Sequence, residues 1–224
     1  MPVRPPAWRW LFEHPDVVLE LLGEHLRLAG TALAVALLIA LPLGVLVARR
    51  RALDLPVLGT LGIIYTIPSL ALFVLLFPWL GLGFDNALVA LVAYAQIILV
   101  RAVVTGLRGV DPTVREAARG MGMAPWQVLW RVELPLAAPV ILAGARVATV
   151  SVLAIATIAA YIDAGGLGEL LFTGVATNHH GKIFAGTVAV AGLSLVANGL
   201  LQRWEKRARA RSMGAALVHW PTGR

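Results

Sequence analysis

Two stretches of this sequence hold most of the side chains with chemistry to offer. The first, "DPTVREAARGMGMAPWQVLWRVELP", runs from Asp111 to Pro135 and is one of the few polar stretches of the chain. Thr113 followed by Glu116 has the spacing of a capping box, which predicts a helix start, and Gly122 stands where a left-handed residue would end that helix. Small Ala117 and Ala118 let another surface approach closely, and Gly122 permits a sharp turn. Pro125 suits the first turn of a second short helix. There Trp126, Leu129 and Trp130 share a face fitted to lipid headgroups, while Gln127 and Arg131 turn away. By themselves these signals describe a well-capped amphipathic loop.

The second stretch is "YTIPS", Tyr65 to Ser69. Pro68 removes one helical hydrogen bond and frees a carbonyl, and Tyr65, Thr66 and Ser69 offer hydroxyls beside it. Such groups either line a passage or bond back to their own helix, and the residue types allow both. Elsewhere the chemistry is sparse. "GGLG" at Gly165 to Gly168 has no strand before it and no Gly-Lys-Ser/Thr ending, so it is expected to bend an external loop rather than bind nucleotide. His179 and His180 have no further ligands clustered near them in the sequence, and no metal site is expected. No nucleophile and base pair up in a soluble pocket. Gln96 and Asn198 are mid-span amides suited to joining helices. Arg146, about 10 Å into a span at 1.5 Å per residue, must reach the cytoplasmic surface or face the bundle interior. Arg101 is expected to extend to the inner surface, and Asp163 to be a solvated loop acid.

The elements that position these groups follow from composition. Of 224 residues 59% are hydrophobic and 14% charged, and mean hydropathy is +0.81, which excludes an ordinary soluble domain. Zero cysteines exclude disulfides and thiolate metal sites. Five apolar runs are long enough to cross a bilayer: Leu28 to Ala48, Val57 to Leu80, Ala87 to Leu107, Pro139 to Tyr161 and Ile183 to Gln202. None alternates like a barrel strand. The expected fold is an all-α integral membrane protein with five transmembrane helices.

Lys and Arg set the orientation. Arg49, Arg50 and Arg51 follow the first run, Arg108, Arg115, Arg119 and Arg131 the third, and Arg203, Lys206, Arg207, Arg209, Arg211 and Arg224 the fifth. Only Arg4, Arg9, Arg27 and Lys182 lie on the opposite side. The positive side is cytoplasmic, so the amino terminus is outside and the carboxyl terminus inside. Residues 1–27 carry too many acids for a cleavable signal and are expected to be an amphipathic segment lying on the outer surface, with a helix face of Val17, Val18, Leu21, Leu22 and Leu26. Residues 28–203 form the transmembrane domain, with the polar loop 111–135 inside the cell, and 204–224 a basic cytoplasmic tail, expected to be disordered from Ser212. Its charge is explained by topology and anionic headgroups, without nucleic acid.

The loop also resembles a family pattern: Glu-Ala-Ala, three residues, Gly, nine residues, Ile, one residue, Leu-Pro. Glu116, Ala117, Ala118, Gly122, Leu134 and Pro135 match it, and Val132 stands in the Ile position. This is the EAA signature of ABC importer permeases of the MetI-like type. "TIPSLALF" (Thr66 to Phe73), "GLRGVDP" (Gly106 to Pro112) and "AGGLGELLFTG" (Ala164 to Gly174) further resemble permeases for osmoprotectants such as glycine betaine, carnitine or choline. The likeness spans Leu21 to Glu205, with Ile98 where proline and Ala102 where a polar residue is expected. The resemblance implies a loop that docks on a separate ATPase subunit, which binds the ATP; this chain then has no cofactor and is not an enzyme. It also implies a second permease, identical or related, an external substrate-binding protein, a bacterial inner-membrane location, and a path past Tyr65, Thr66, Pro68 and Ser69. The alternatives are a permease for another small solute such as an amino acid, or an ATPase-independent secondary transporter or channel. The latter would show inverted halves and an intramembrane acid, and neither is visible in the sequence.

Overall fold

The computed structural model describes residues 7–217, with side chains through residue 210. A short helix α1 (Arg9–Glu13) leads into α2 (Pro15–Arg49). Pro15 opens α2 where a missing N–H costs nothing, Asp16 meets its positive end and Arg49 its negative end. α2 is unbroken for 35 residues, so the separate surface helix expected before residue 28 is instead its first turns, with Leu21 and His25 buried. No residue between the two parts stops a helix; Gly23 and Gly30 only weaken it.

Ala29, Ala32, Ala36, Ala40 and Gly44 form a buried stripe of small residues along α2. It lies on α5 (Phe84–Arg108), the central helix: 67% of the apolar membrane window of α5 is buried, against 11% for the last helix, α10 (His180–Leu217). A Cβ on Gly44 would stand 2.6 Å from Cβ of Val103. Gln96 adds a hydrogen bond from its amide nitrogen to the Ala36 carbonyl at 3.2 Å, the helix-joining role its position predicts. The other side of α5 meets α8 (Leu134–Ala159), where a Cβ on Gly144 would lie 2.2 Å from Cβ of Ala102. This contact explains alanine at 102, since a larger side chain has no room. Gly144→Leu is therefore expected to overpack the α5–α8 contact by about 1–3 kcal/mol. The check is the yield of monodisperse protein in detergent, with Gly192→Leu as control because nothing lies within 4 Å of that glycine.

The second apolar run is not one helix. After a 3-10 turn (Arg51–Leu53) and a π turn (Asp54–Leu58), α3 (Gly59–Thr66) and α4 (Ser69–Leu80) meet at a 101° bend. The cause is local: the residue before a proline avoids helical ψ, and Ile67 has ψ 128° and Pro68 ψ 138°. Among the described residues four helical stretches are thus long and apolar enough to cross a membrane, or five if the bent pair counts as one span. The five transmembrane helices expected from the sequence thus stand as four to five, the second apolar run being the bent pair. In the loop, α6 (Pro112–Gly120) and α7 (Pro125–Val128) are joined to α8 by a π turn (Leu129–Glu133). α8 thus starts at Leu134, before the expected Pro139. A 3-10 turn (Ala160–Ile162) and α9 (Gly168–Ala176) precede α10, which continues past Gln202 to Leu217, so residues 212–217 of the expected disordered tail are helical. Residues 218–224 of that tail lie outside the described residues.

Candidate functional site

The polar loop folds as two short helices, but its cap is not the expected one. Asp111, not Thr113, starts α6: its carboxylate accepts from the Thr113 amide at 2.8 Å and the Thr113 hydroxyl at 2.7 Å. Those bonds, the hydroxyl first, hold the Asp111 carboxyl below the ordinary carboxylate range and keep it charged. Pro112 occupies the first turn, so Thr113, the cap in the capping-box reading, lies inside the helix. Glu116 is thereby released: it is exposed and has no partner among the described residues. Ala117 is exposed beside it, whereas Ala118 is buried at 2%. Gly122 has φ +81° and turns the chain as expected. The Ala124 amide then donates to Oε1 of Gln127 at 2.8 Å, and Pro125 opens α7. Met121, Trp126 and Trp130 are left 76%, 61% and 66% exposed. Leu134 packs with Val103, Leu107, Val110 and Ala137, and Pro135 is exposed.

Under this loop lies an ion-pair system that motif reading passed over. The Glu133 carboxylate, 1% exposed, accepts a two-pronged pair from Arg49, with Nη1 to Oε1 at 3.0 Å and Nη2 to Oε2. Arg115 of α6 stands 3.9 Å from the same carboxylate. Glu133 thus joins the end of α2, the π turn and α6. Arg108, at the end of α5, grips Asp54 at 2.8 and 2.7 Å and donates to the Val47 carbonyl at 2.8 Å and the Ala48 carbonyl at 3.4 Å, both in the last turn of α2. The signal available in the sequence was a lone acid between Val132 and Leu134 at the mouth of a span, opposite three consecutive arginines.

At the broken pair, the hydroxyls are less free than their types suggest. Thr66 donates to its own helix, at the Ile63 carbonyl, 2.7 Å away. The Ile67 carbonyl is taken by the hydroxyl of Tyr94. Ser69 is half-buried, Pro68 exposed, and Tyr65 45% exposed with its ring edge-on to Tyr94 at 5.9 Å.

The remaining candidates are structural. Arg146 donates to Asn198 at 3.3 Å and pairs with Glu205 at 3.2 Å, which ties α8 to α10 and balances the charge of the guanidinium. Arg101 and Asp163 are exposed. Gly165 and Gly166, at φ +76° and +90°, bend the loop before α9, where the Gly166 amide donates to Glu24 at 2.8 Å and His25 Nε2 donates to the Leu153 carbonyl at 3.2 Å. Nδ1 of His179 accepts from the Lys182 amide at 3.2 Å. Among the described residues no three metal-binding side chains converge.

A helical membrane bundle that presents an exposed two-helix loop at one end has the architecture of a transport permease. The family profile described as binding-protein-dependent transport system inner membrane component matches residues 40–210, and the chain belongs to that family. It is 39% identical over 199 residues to the osmoprotectant import permease protein OsmW of Salmonella typhimurium, covering 87% of this chain and 93% of that one. It is 37% identical over 193 residues to the carnitine transport permease protein OpuCB of Listeria monocytogenes, covering 86% and 88%. Identity to the choline transport system permease protein OpuBB of Bacillus subtilis is 38% over 184 residues, covering 82% and 85%. Among solved structures, the inward-facing methionine ABC transporter MetNI shares the fold at TM-score 0.76 and 22% identity, over 92% of this chain and 99% of that one. This protein is therefore the membrane-spanning permease subunit of an ABC importer, a multi-pass inner-membrane component without an ATPase site of its own.

Proposed function

We propose that this permease imports quaternary-amine osmoprotectants of the glycine betaine, carnitine and choline class. The carrying observation is identity of 35–38% with permeases named for those solutes, over 82–88% of the chain, and of 39% with one named for osmoprotectant import. Likeness to amino-acid importers rests on 20–22% identity and speaks for the fold alone. An external binding protein delivers substrate, two permease subunits enclose the path, and an ATPase subunit that binds the ATP docks on the loop. Glu116, Ala117, Ala118 and Gly122 form the docking surface, with Leu134 and Pro135 anchoring it to α8. The exposed Glu116 and Met121 support this reading, because neither side chain is taken up by a contact among the described residues. The path runs past Tyr65, Thr66, Pro68 and Ser69, where the broken helix brings backbone into the bundle.

The substrate is tested by uptake into vesicles carrying the complete complex. Glycine betaine, carnitine or choline should accumulate with ATP, and methionine or histidine should not; the reverse result overturns the assignment. Orientation is tested by single cysteines in intact cells. One replacing Asn178 should react with an impermeant maleimide and one replacing Ala52 should not, because arginines cluster on the side of Ala52.

A further inference from the structure

We propose that Tyr65 and the carbonyl end of α3 form a cation-binding station inside the path, which receives the quaternary ammonium group of the substrate. This rests on the osmoprotectant reading above and adds a site to it. The depth is right: Tyr65 packs on Tyr94, the eleventh of the 25 residues of α5, and so lies near the middle of a helix that crosses the membrane. The Tyr65 ring is 45% exposed, and its hydroxyl has no hydrogen-bond partner among the described residues. A bare phenol facing acyl chains at that depth would be costly, so its open side belongs to a wet or substrate-filled space.

The backbone beside the ring supplies negative potential. At a helix end the last carbonyls lack donors. Here Ile63 accepts from Thr66, Ile64 from the Ile67 amide at 3.2 Å, and Ile67 from Tyr94. The carbonyls of Tyr65 and Thr66 are the ones left over, because the amides of Ser69 and Leu70 that would serve a straight helix depart along α4 at 101°. A half-helix carboxyl end favours a cation, and an aromatic face adds quadrupole attraction to a tetraalkylammonium, which cannot donate a hydrogen bond and so needs no specific acceptor. The absence of any acidic side chain from Pro56 to Phe84 fits this chemistry: a diffuse negative field holds the cation weakly enough to release it.

The test uses the assembled transporter with its ATPase and binding protein in lipid vesicles, and radiolabelled choline, carnitine and glycine betaine as probes. Tyr65→Phe should keep uptake within about two-fold, and Tyr65→Leu should lower it about five- to ten-fold while the yield of assembled complex stays normal. With choline as the probe, the neutral carbon isostere 3,3-dimethylbutanol should compete no better in wild type than in Tyr65→Leu. Equal uptake by wild type and Tyr65→Leu overturns the station and leaves the substrate reading standing. Equal loss in Tyr65→Phe and Tyr65→Leu also overturns it, since the hydroxyl rather than the ring would then be responsible. A wild-type complex that moves none of the three amines overturns the substrate reading and the station together.

Discussion

Replacing Arg49 with methionine is expected to be among the most damaging single changes in this protein. Among the described residues it leaves the Glu133 carboxylate, 1% exposed, with only Arg115 at 3.9 Å. Removing one partner of a buried pair typically costs about 3–5 kcal/mol, and the lower end applies here because Arg115 supplies part of the compensation. The measurement is thermal unfolding and yield of the purified permease. The double variant Arg49→Met/Glu133→Leu removes both charges and should recover most of the lost stability, as paired replacement by apolar groups often does. If the pair also carries force between α2 and the loop, the recovered double variant will still hydrolyse ATP in complex but import poorly. Full recovery of uptake would restrict the pair to a stabilising role.

The second large effect is expected from Glu116→Lys. The side chain is exposed and unpaired among the described residues, so reversing its charge should leave the permease folded and inserted. Attachment of the ATPase should weaken about ten-fold or more, equivalent to about 1.4 kcal/mol or more, because the charge would face the docking partner with the wrong sign. Co-purification of the ATPase at increasing salt gives the readout. Wild-type retention of the ATPase by Glu116→Lys would mean that the docking surface lies elsewhere. Asp111→Ala is the instructive companion, since it damages the loop from within by removing the cap, at about 1 kcal/mol.

These two residues also mark how far the sequence carries. The spans were legible because hydropathy over about 20 residues is a long-range average that no single contact overturns. The turn at Gly122 and the start at Pro125 were legible because each depends on one residue's own backbone preference. The cap was misassigned because Asp111 and Thr113 both offer an N-cap oxygen, and only the position of Pro112 after Asp111 decides between them. The bend at Pro68 was legible as a lost hydrogen bond but not as 101°, since a proline kink in a lipid-packed helix is usually smaller and its size depends on what takes the freed groups. Tyr94, 27 residues away, takes one of them. Glu133 was passed over because its partners come from residues 18 and 84 positions distant, and no local pattern encodes such a pairing.

The unbroken course of α2 has a mechanical consequence. Its carboxyl end is fastened through Arg49 to Glu133 beneath the loop, and its amino-terminal part through Glu24 and His25 to the Gly166 turn and the Leu153 carbonyl. About 36 Å of helix separates His25 from Arg49 at 1.5 Å per residue, with Pro42 removing one hydrogen bond without interrupting it. A helix is stiff along its axis, so an axial shift at one fastening arrives almost undiminished at the other. α2 therefore links the arginine anchor beneath the loop to the glycine turn at the far end of the bundle by one continuous piece of backbone.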